Sequence, residues 1–239
     1  MQLIQFCLFF VIGLATAAPS VYRRDNGLTT TVKIVNNCAK TIQLSTLSTT
    51  SAFSDPMPMV PGSSKTFTYE GMWSGRYWAR EDCQGSGCQI AGAAYPASLA
   101  EFTFHGADGK DFYDLSFVDG YNLPLSITPV HPNTTSTNPL ESGKYWCGAP
   151  ACKAVPSCPS ELQMTENDTY IGCLSACSKF GTSEYCCTGA HATAATCPIN
   201  KYASAVKHGC PDAYSFAYDD DTSLYQCRAP SYTVTWCPN

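Results

Sequence analysis

The 239-residue sequence predicts a mainly β protein, a sandwich or flattened barrel that carries a loop-rich lobe held by disulfides. Two observations lead to this prediction. In the first two thirds of the chain, many short segments alternate apolar and polar residues between clusters of Gly, Pro, Asn and Ser. From about Tyr145 the pattern changes, and nine cysteines lie between Cys147 and Cys210.

The individual elements follow from periodicity. Alternation with a period of two residues predicts strands over residues 31–35, 41–47, 64–69, 101–104, 113–117, 123–129 and 232–236. Within the cysteine-rich part, only residues 171–180 and 201–208 could form short helices. The order sheet, lobe, sheet predicts a core of residues 25–146 plus 222–239, with a small loop region at about 80–95, and a lobe of residues 147–221.

The amino terminus predicts secretion. An apolar run from Leu3 to Leu14 precedes the small-x-small triplet at residues 15–17, so residues 1–17 are predicted to be a signal peptide. Residues 18–24 are a candidate pro-segment, because the pair Arg23–Arg24 is either a second processing site or two solvated charges. No later run has the ~20 apolar residues of a membrane span, and the carboxyl terminus has no hydrophobic anchor signal. We expect an extracellular or cell-wall protein.

The cysteines support the same compartment. Cys7 lies in the signal peptide, which leaves fourteen of the fifteen cysteines, an even number that predicts seven disulfides. Zinc competes for Cys173, Cys177 and the pair at 186–187, but the four histidines are scattered, so we expect neither metal nor cofactor. Asn133 and Asn167 begin acceptor triplets for N-glycosylation.

The charge balance narrows the choice of partners. After removal of residues 1–24, twelve Lys and Arg face nineteen Asp and Glu, so the formal net charge changes from −5 to −7. Such a chain has no basic stripe with which to neutralise phosphates, which argues against nucleic acid and anionic membranes. We expect a monomer without stable membrane insertion.

Three of the five carboxylates in the stretch from Leu99 to Leu125 lie where β-sheet formation does not require them. Glu101 and Asp114 fall on the polar face of two alternating strands, and Asp119 follows shortly afterwards. Such acids are either the hydrated side of a sheet or the floor of a site.

Seven blocks in order resemble the thaumatin-like proteins. They are NNCAKTIQLST, WSGRYWAREDC, PASLAEFTF, DFYDLSFVDGYNLPLSITP, SEYCCTG, CPDAYSFAYDDDTS and YTVTWCP. The resemblance implies a β-sandwich, a disulfide-rich and partly helical lobe, and an acidic cleft between them. It also implies the pairing Cys38–Cys237, Cys83–Cys88, Cys147–Cys227, Cys152–Cys210, Cys158–Cys173, Cys177–Cys186 and Cys187–Cys197.

The family's acidic cleft contains one Arg, one Glu and three Asp. On this sequence the matching positions are Arg76, Glu101, Asp114, Asp119 and Asp220, with Asp219 as the alternative to the last. One departure affects the cleft. Larger members carry two more cysteines after the position of Cys88, whereas this chain passes directly to the Glu101 strand, so one disulfide loop near the rim is missing.

Two functions are compatible with this resemblance. The first is binding of β-1,3-glucan or another cell-wall polysaccharide, with weak endo-β-1,3-glucanase activity in cell-wall remodelling or antifungal defence. Glycoside hydrolysis needs two carboxyl groups in different protonation states. Our hypothesis gives the catalytic roles to Glu101, as general acid, and to Asp114 or Asp119, with Arg76 keeping its neighbour ionised. Aromatic candidates for sugar stacking, several of them expected in the core, are Tyr77, Trp78, Phe112, Tyr113 and Tyr121.

The second function is that of a non-catalytic defence or interaction module. Its acidic cleft would attract basic regions of a protein partner, or a membrane target, without releasing sugar. Salt-sensitive binding would distinguish it, because exposed charges are screened at high ionic strength.

Overall fold

The structure is a computed structural model that describes residues 28–49, 55–81, 83, 85–90 and 95–239. The predicted signal peptide and the pair Arg23–Arg24 lie outside these residues. The strands are β1 Thr29–Asn36, β2 Ile42–Ser48, β3 Met57–Met59, β4 Ser64–Glu70, β5 Trp73–Glu81, β6 Leu99–Phe104, β7 Asp111–Ser116, β8 Gly120–Tyr121, β9 Leu125–Val130, β10 Ala151–Cys152, β11 Gln163–Glu166, β12 Thr169–Leu174, β13 Ala213–Tyr214, β14 Tyr225–Cys227 and β15 Ser231–Trp236. The α-helices are α1 Ala176–Phe180, α2 Ser183–Cys186, α3 Lys201–Gly209 and α4 Asp220–Ser223.

Two large sheets and one small sheet make up the fold, which confirms the mainly β prediction. The first sheet has the strand order β10-β9-β15-β1-β4. The second has the order β13-β7-β6-β5-β2-β3, with β14 also paired to β7. The small sheet, β11-β12-β8, belongs mostly to the lobe and reaches the sandwich through β8.

Alternating burial explains why these segments form strands. On β1, Val32 and Ile34 are fully buried whereas Lys33 is exposed, so one face of the strand lies in the core. On β6, Phe102 and Phe104 are buried, whereas Glu101, on the opposite face of the strand, is only half-buried. The period-2 pattern that predicted both strands is therefore the pattern of their burial.

Tyr232 on β15 joins the two large sheets at the centre of the core. Its ring centroid lies 5.1 Å from that of Tyr113 and 5.5 Å from that of Phe102, both on the second sheet. The Tyr232 hydroxyl donates a 2.7 Å hydrogen bond to the buried carboxylate of Asp111. Because a buried polar group is costly unless it is hydrogen-bonded, Asp111 serves the fold rather than a site.

The last strand closes the first sheet, as predicted from the order sheet, lobe, sheet. β15 runs parallel to β1 on one side and antiparallel to β9 on the other. The Cys38–Cys237 disulfide fixes the same closure across 199 residues. The other disulfides, which are also the pairs that the resemblance implies, are Cys83–Cys88, Cys147–Cys227, Cys152–Cys210, Cys158–Cys173, Cys177–Cys186 and Cys187–Cys197.

The prediction of a helix over residues 171–180 was wrong in its first half. Residues up to Leu174 belong to β12, which pairs with β11 and with β8. The helix α1 begins only after Ser175, whose side chain accepts a hydrogen bond from the Ser178 N–H. Periodicity alone cannot assign a short apolar run to a helix or a strand. Here pairing with β11 and β8 makes residues 171–174 part of a strand. The helix predicted over 201–208 is confirmed as α3.

Several strands were not predicted, and β5 is the longest of them. β5 escaped notice because four consecutive residues, Tyr77 to Arg80, are buried, so the strand shows no alternation. The cysteine-rich segment also contributes β10 and β13 to the large sheets, and these pair with β9 and β7. No helix in the described part of the chain is long and apolar enough to cross a membrane.

Candidate functional site

Three predicted site residues stand side by side on adjacent strands of the second sheet. Arg76 on β5 pairs with Glu101 on β6, and Glu101 pairs with Asp114 on β7. Directly opposed residues place their Cβ atoms about 4.5–5.5 Å apart, so the three side chains form a continuous line. We call this line the acidic row. The guanidinium Nη1 of Arg76 lies 3.9 Å from Oε1 of Glu101.

The acidic row occupies the outer face of the sheet because its neighbours in sequence occupy the inner face. Tyr77, Phe102 and Tyr113 each follow or precede a row residue and are buried in the core. Successive side chains on a strand point to opposite faces, so the large aromatic residues fix the direction of the charged ones.

Two adjoining depressions share the acidic row as their floor. The larger has a volume of about 480 Å³ and extends along β2, β5 and β6 past Leu47, Ser74 and Thr103. The smaller has a volume of about 230 Å³ and is bounded by Ser116, Asp119 and Tyr214 among others. Together they form a cleft between the second sheet and the 214–217 segment of the lobe, and we use the word cleft for this pair of depressions.

Burial and like charge set the protonation of the row. The pKa of Asp114 is raised well above its usual range, first by burial and then by the nearby carboxylates of Glu101 and Asp220. Its Oδ1 atom is buried and has no hydrogen-bond partner among the described residues. Burial also raises the pKa of Glu101, but the Arg76 guanidinium and the Ser116 hydroxyl oppose that rise. The proton of the pair is therefore held mainly by Asp114.

Asp119 and Asp220 lie at the margin of the row. Asp119 lines the smaller depression, and its charge contributes to the raised pKa of Glu101. Asp220 is exposed at the start of α4 and accepts a 3.0 Å hydrogen bond from the Tyr214 hydroxyl. The two aspartates add negative charge at the edges of the cleft, Asp119 on the sandwich side and Asp220 on the lobe side.

The carboxylate of Asp219, the alternative to Asp220, is engaged by partners within the protein. Its carboxylate accepts hydrogen bonds from the backbone N–H and the hydroxyl of Ser215, both at 3.0 Å, and from the Thr222 hydroxyl. The Lys207 ammonium lies 3.1 Å from the same carboxylate. These contacts hold the turn before α4, so of the two aspartates Asp220 is the one in contact with a cleft residue.

Most of the aromatic candidates are structural. Tyr77, Trp78 and Tyr113 have no exposed surface and Tyr121 is 3% exposed, so none of them can support a sugar ring. Phe112 is half-buried and lines the larger depression. It is the single member of the proposed set with a ring surface at the cleft.

Sequence reasoning missed several cleft residues, and Ser116 and Tyr214 illustrate why. Ser116 lies two positions after Asp114 and therefore on the same face of β7, a relation that strand periodicity could have revealed. Tyr214 reaches the cleft because β13 pairs with β7 from almost a hundred residues further along the chain. No local pattern in the sequence predicts that contact.

Potential metal ligands and glycosylation sites lie outside the cleft. Among the described residues, the one grouping of potential metal ligands is Cys38, Glu81 and Cys237, whose two cysteines are already bonded to each other. Asn133 is exposed, and Asn167 is exposed in the turn between β11 and β12. Their glycosylation stays a prediction.

Comparisons with known proteins agree with the resemblance drawn from the motifs. The thaumatin family profile matches residues 36–238. A pathogenesis-related thaumatin-like protein 3.5 from Cryptomeria japonica is 41% identical over 88% of this chain and 90% of its own length. A protein from Prunus avium named glucan endo-1,3-beta-glucosidase is 42% identical over 70% of this chain and 72% of its own.

A solved structure shares the fold at low identity. It is the GH family 64 laminaripentaose-producing beta-1,3-glucanase from Paenibacillus barengoltzii, 12% identical, with a TM-score of 0.50 over 94% of this chain and 78% of that chain. At this identity the likeness concerns the fold alone. The match of the family profile to most of the chain, with relatives above 40% identity, shows that the chain belongs to the thaumatin family.

Proposed function

We propose that this protein is secreted, binds β-1,3-glucan of a cell wall in its cleft, and hydrolyses internal linkages slowly. The observation that carries the proposal is the acidic row, in which two opposed carboxyl groups of unequal pKa form the floor of an open depression. An open depression along a sheet can accept an internal segment of a polysaccharide. The polar side chains of Ser74 and Thr103 along its floor offer hydrogen bonds to sugar hydroxyls.

The unequal pKa values suit Asp114 and Glu101 to different roles in hydrolysis. Asp114, whose pKa is raised well above its usual range, is the candidate to donate a proton to the glycosidic oxygen. Glu101, on which Arg76 opposes the rise in pKa, is the candidate to activate water or attack the anomeric carbon. The sequence alone favoured Glu101 as the acid. The electrostatics of the row favour the reverse assignment, because the causes that lower a pKa act on Glu101 and not on Asp114.

Two further observations support the proposal. The relative from Prunus avium bears the name of an endo-1,3-beta-glucosidase and matches this chain over 70% of its length. The fourteen cysteines of the described residues are joined in seven disulfides, the usual state of proteins in an oxidising compartment. A role in defence against fungi would follow from cleavage or capture of fungal wall glucan, and names of relatives such as pathogenesis-related protein 5 are in keeping with it.

The test uses the disulfide-bonded protein with insoluble and soluble β-1,3-glucan near pH 5. Pull-down measures binding, and release of reducing ends measures hydrolysis. The variants are Glu101→Gln and Asp114→Asn, with Glu81→Gln as a matched control. Glu81 is also a strand glutamate beside a cation, with Lys40 at 3.8 Å and a side chain 29% exposed against 34% for Glu101, but it lies outside the cleft.

We expect wild type and Glu81→Gln to bind glucan and release sugar at equal rates. Loss of a general acid or base costs about 10²–10⁴-fold in rate, so both row variants should bind but release almost no sugar. Equal hydrolysis by Glu101→Gln and wild type would refute the catalytic assignment. Binding without hydrolysis by wild type would leave a glucan-recognition protein. Absence of both would refute the proposal and favour the interaction module, which salt-sensitive capture of a basic protein would then test.

A further inference from the structure

A second cavity lies in the lobe, behind the cleft. Its volume is about 110 Å³, and α3, the start of α1 and the 117–121 segment form its walls. We call it the lobe cavity. The side chains that line it are mostly apolar, and they include Phe117, Tyr121, Leu162, Leu174, Tyr185, Tyr202, Val206 and Phe216.

Four of the aromatic residues that line the lobe cavity form two pairs. The rings of Phe117 and Tyr121 have centroids 5.3 Å apart on the sandwich side. On the lobe side, the rings of Tyr185 and Tyr202 are 5.9 Å apart and nearly perpendicular. Aromatic rings pack favourably in offset or edge-to-face geometry at such distances, so a further ring in the lobe cavity would meet aromatic partners in its walls.

The walls are held in place independently of any occupant. Cys177 and Cys186 both line the lobe cavity and are bonded to each other. Ser175 and Asn200, also in the lining, cap the first turns of α1 and α3 with side-chain hydrogen bonds. A cavity bounded by a cross-link and two capped helices does not collapse easily, so the space is pre-formed.

Size and polarity restrict what the lobe cavity can hold. A dry apolar cavity of about 150 Å³ accommodates one benzene molecule, so this smaller cavity can take one ring at most, with part of the ligand in its mouth; sites for drug-sized ligands have about 300–1,000 Å³. A sugar unit would bring several hydroxyl groups into a lining that has few polar partners for them. One small aromatic ring with at most one hydroxyl group fits both limits.

We propose that the lobe cavity binds a small neutral monocyclic aromatic compound, of the size and polarity of a phenol. The site is distinct from the cleft, but the two share a wall, because Val118, Asp119 and Ala217 line both spaces. The proposal stands apart from glucan binding and holds whether or not the cleft takes a polysaccharide.

The experiment measures phenol binding by saturation-transfer NMR and calorimetry on the disulfide-bonded protein. Ala205 is exposed on α3 and lines the lobe cavity, so Ala205→Trp should block its mouth without disturbing the core. Ser204→Trp is the matched control, since Ser204 is also exposed on α3 but does not line the cavity. Glu101→Gln separates this site from the cleft.

A ligand of this size should bind with a dissociation constant of about 1 mM. We expect at least tenfold weaker binding to Ala205→Trp and unchanged binding to Ser204→Trp and Glu101→Gln. In the wild type, the phenol ring should give nuclear Overhauser effects to the methyl groups of Leu174 and Val206, a readout that needs no variant. No binding by wild type, equal binding to Ala205→Trp, or Overhauser effects only to other residues would overturn the proposal.

Discussion

Removal of the Cys38–Cys237 disulfide should cost far more stability than removal of a short-range one. The bridge joins residues 199 apart in sequence, but the Cys147–Cys227 bridge already short-circuits 80 of them. The ring that Cys38–Cys237 closes in the unfolded chain therefore has about 120 residues. The chain-entropy relation gives about 4.9 kcal/mol at 25 °C for a ring of this length.

The matched control is the Cys83–Cys88 bridge, which spans five residues. The same relation gives about 2 kcal/mol for so short a ring, so the two double Cys→Ala variants should differ by about 3 kcal/mol. Equilibrium unfolding in guanidinium chloride measures both values. The long-range variant should lose about 1–2 M in midpoint concentration relative to wild type.

Equal losses of stability in the two double variants would contradict this expectation. That result would mean that the bridge between the first and last strands does not act by restricting the unfolded chain. The hydrogen-bonded pairing of β15 with β1 and β9 would then account for the closure of the first sheet by itself.

Three further predictions concern single residues. Because the folded-state pKa of Asp114 is raised, its ionisation destabilises the fold as pH rises above about 4, the value of an unfolded aspartate. Asp114→Asn should therefore have a higher urea midpoint of unfolding than wild type at pH 7, and the two midpoints should differ less at pH 3. The same difference in midpoint at both pH values would contradict this. Arg80→Met removes three hydrogen bonds of 2.8 Å to the backbone carbonyls of Ile90, Tyr95 and Pro96, and should lower the free energy of unfolding in urea by about 3 kcal/mol or more; a loss below about 1 kcal/mol would count against it. Gly120→Ala, at a φ of +112° with the new Cβ against the carbonyl oxygen of Cys173, should lower the thermal midpoint much more than Gly109→Ala, whose new Cβ would meet open space; equal midpoints would be the contrary result.

Sequence patterns were sufficient for the strands that are buried on one face. The positions of Glu101 and Asp114 on the outer face follow from the buried aromatics beside them, and alternation makes this visible. The same reasoning fails for β5, where four successive buried residues hide the strand that carries Arg76. It also fails for residues 171–174, where a short apolar run suits a helix or a strand equally.

The register of the acidic row could not be predicted from local sequence. Arg76, Glu101 and Asp114 come together because three antiparallel strands pair with those residues opposite each other, and register depends on the whole sheet. The choice between Asp219 and Asp220 likewise depends on distant contacts. Lys207 on α3 forms an ion pair with the Asp219 carboxylate, and the acidic run in the sequence does not indicate this contact.

Glucan binding in the cleft is tested most directly by amide hydrogen exchange. The measurement compares exchange rates along the chain with and without a β-1,3-linked glucose hexamer. We expect slower exchange along β5, β6 and β7 around the acidic row in wild type, in Glu81→Gln and in Glu101→Gln, because the last variant should bind glucan without cleaving it. Protection confined to the lobe or to the first sheet, with none around Arg76, Glu101 and Asp114, would contradict the assignment of the cleft as the glucan site.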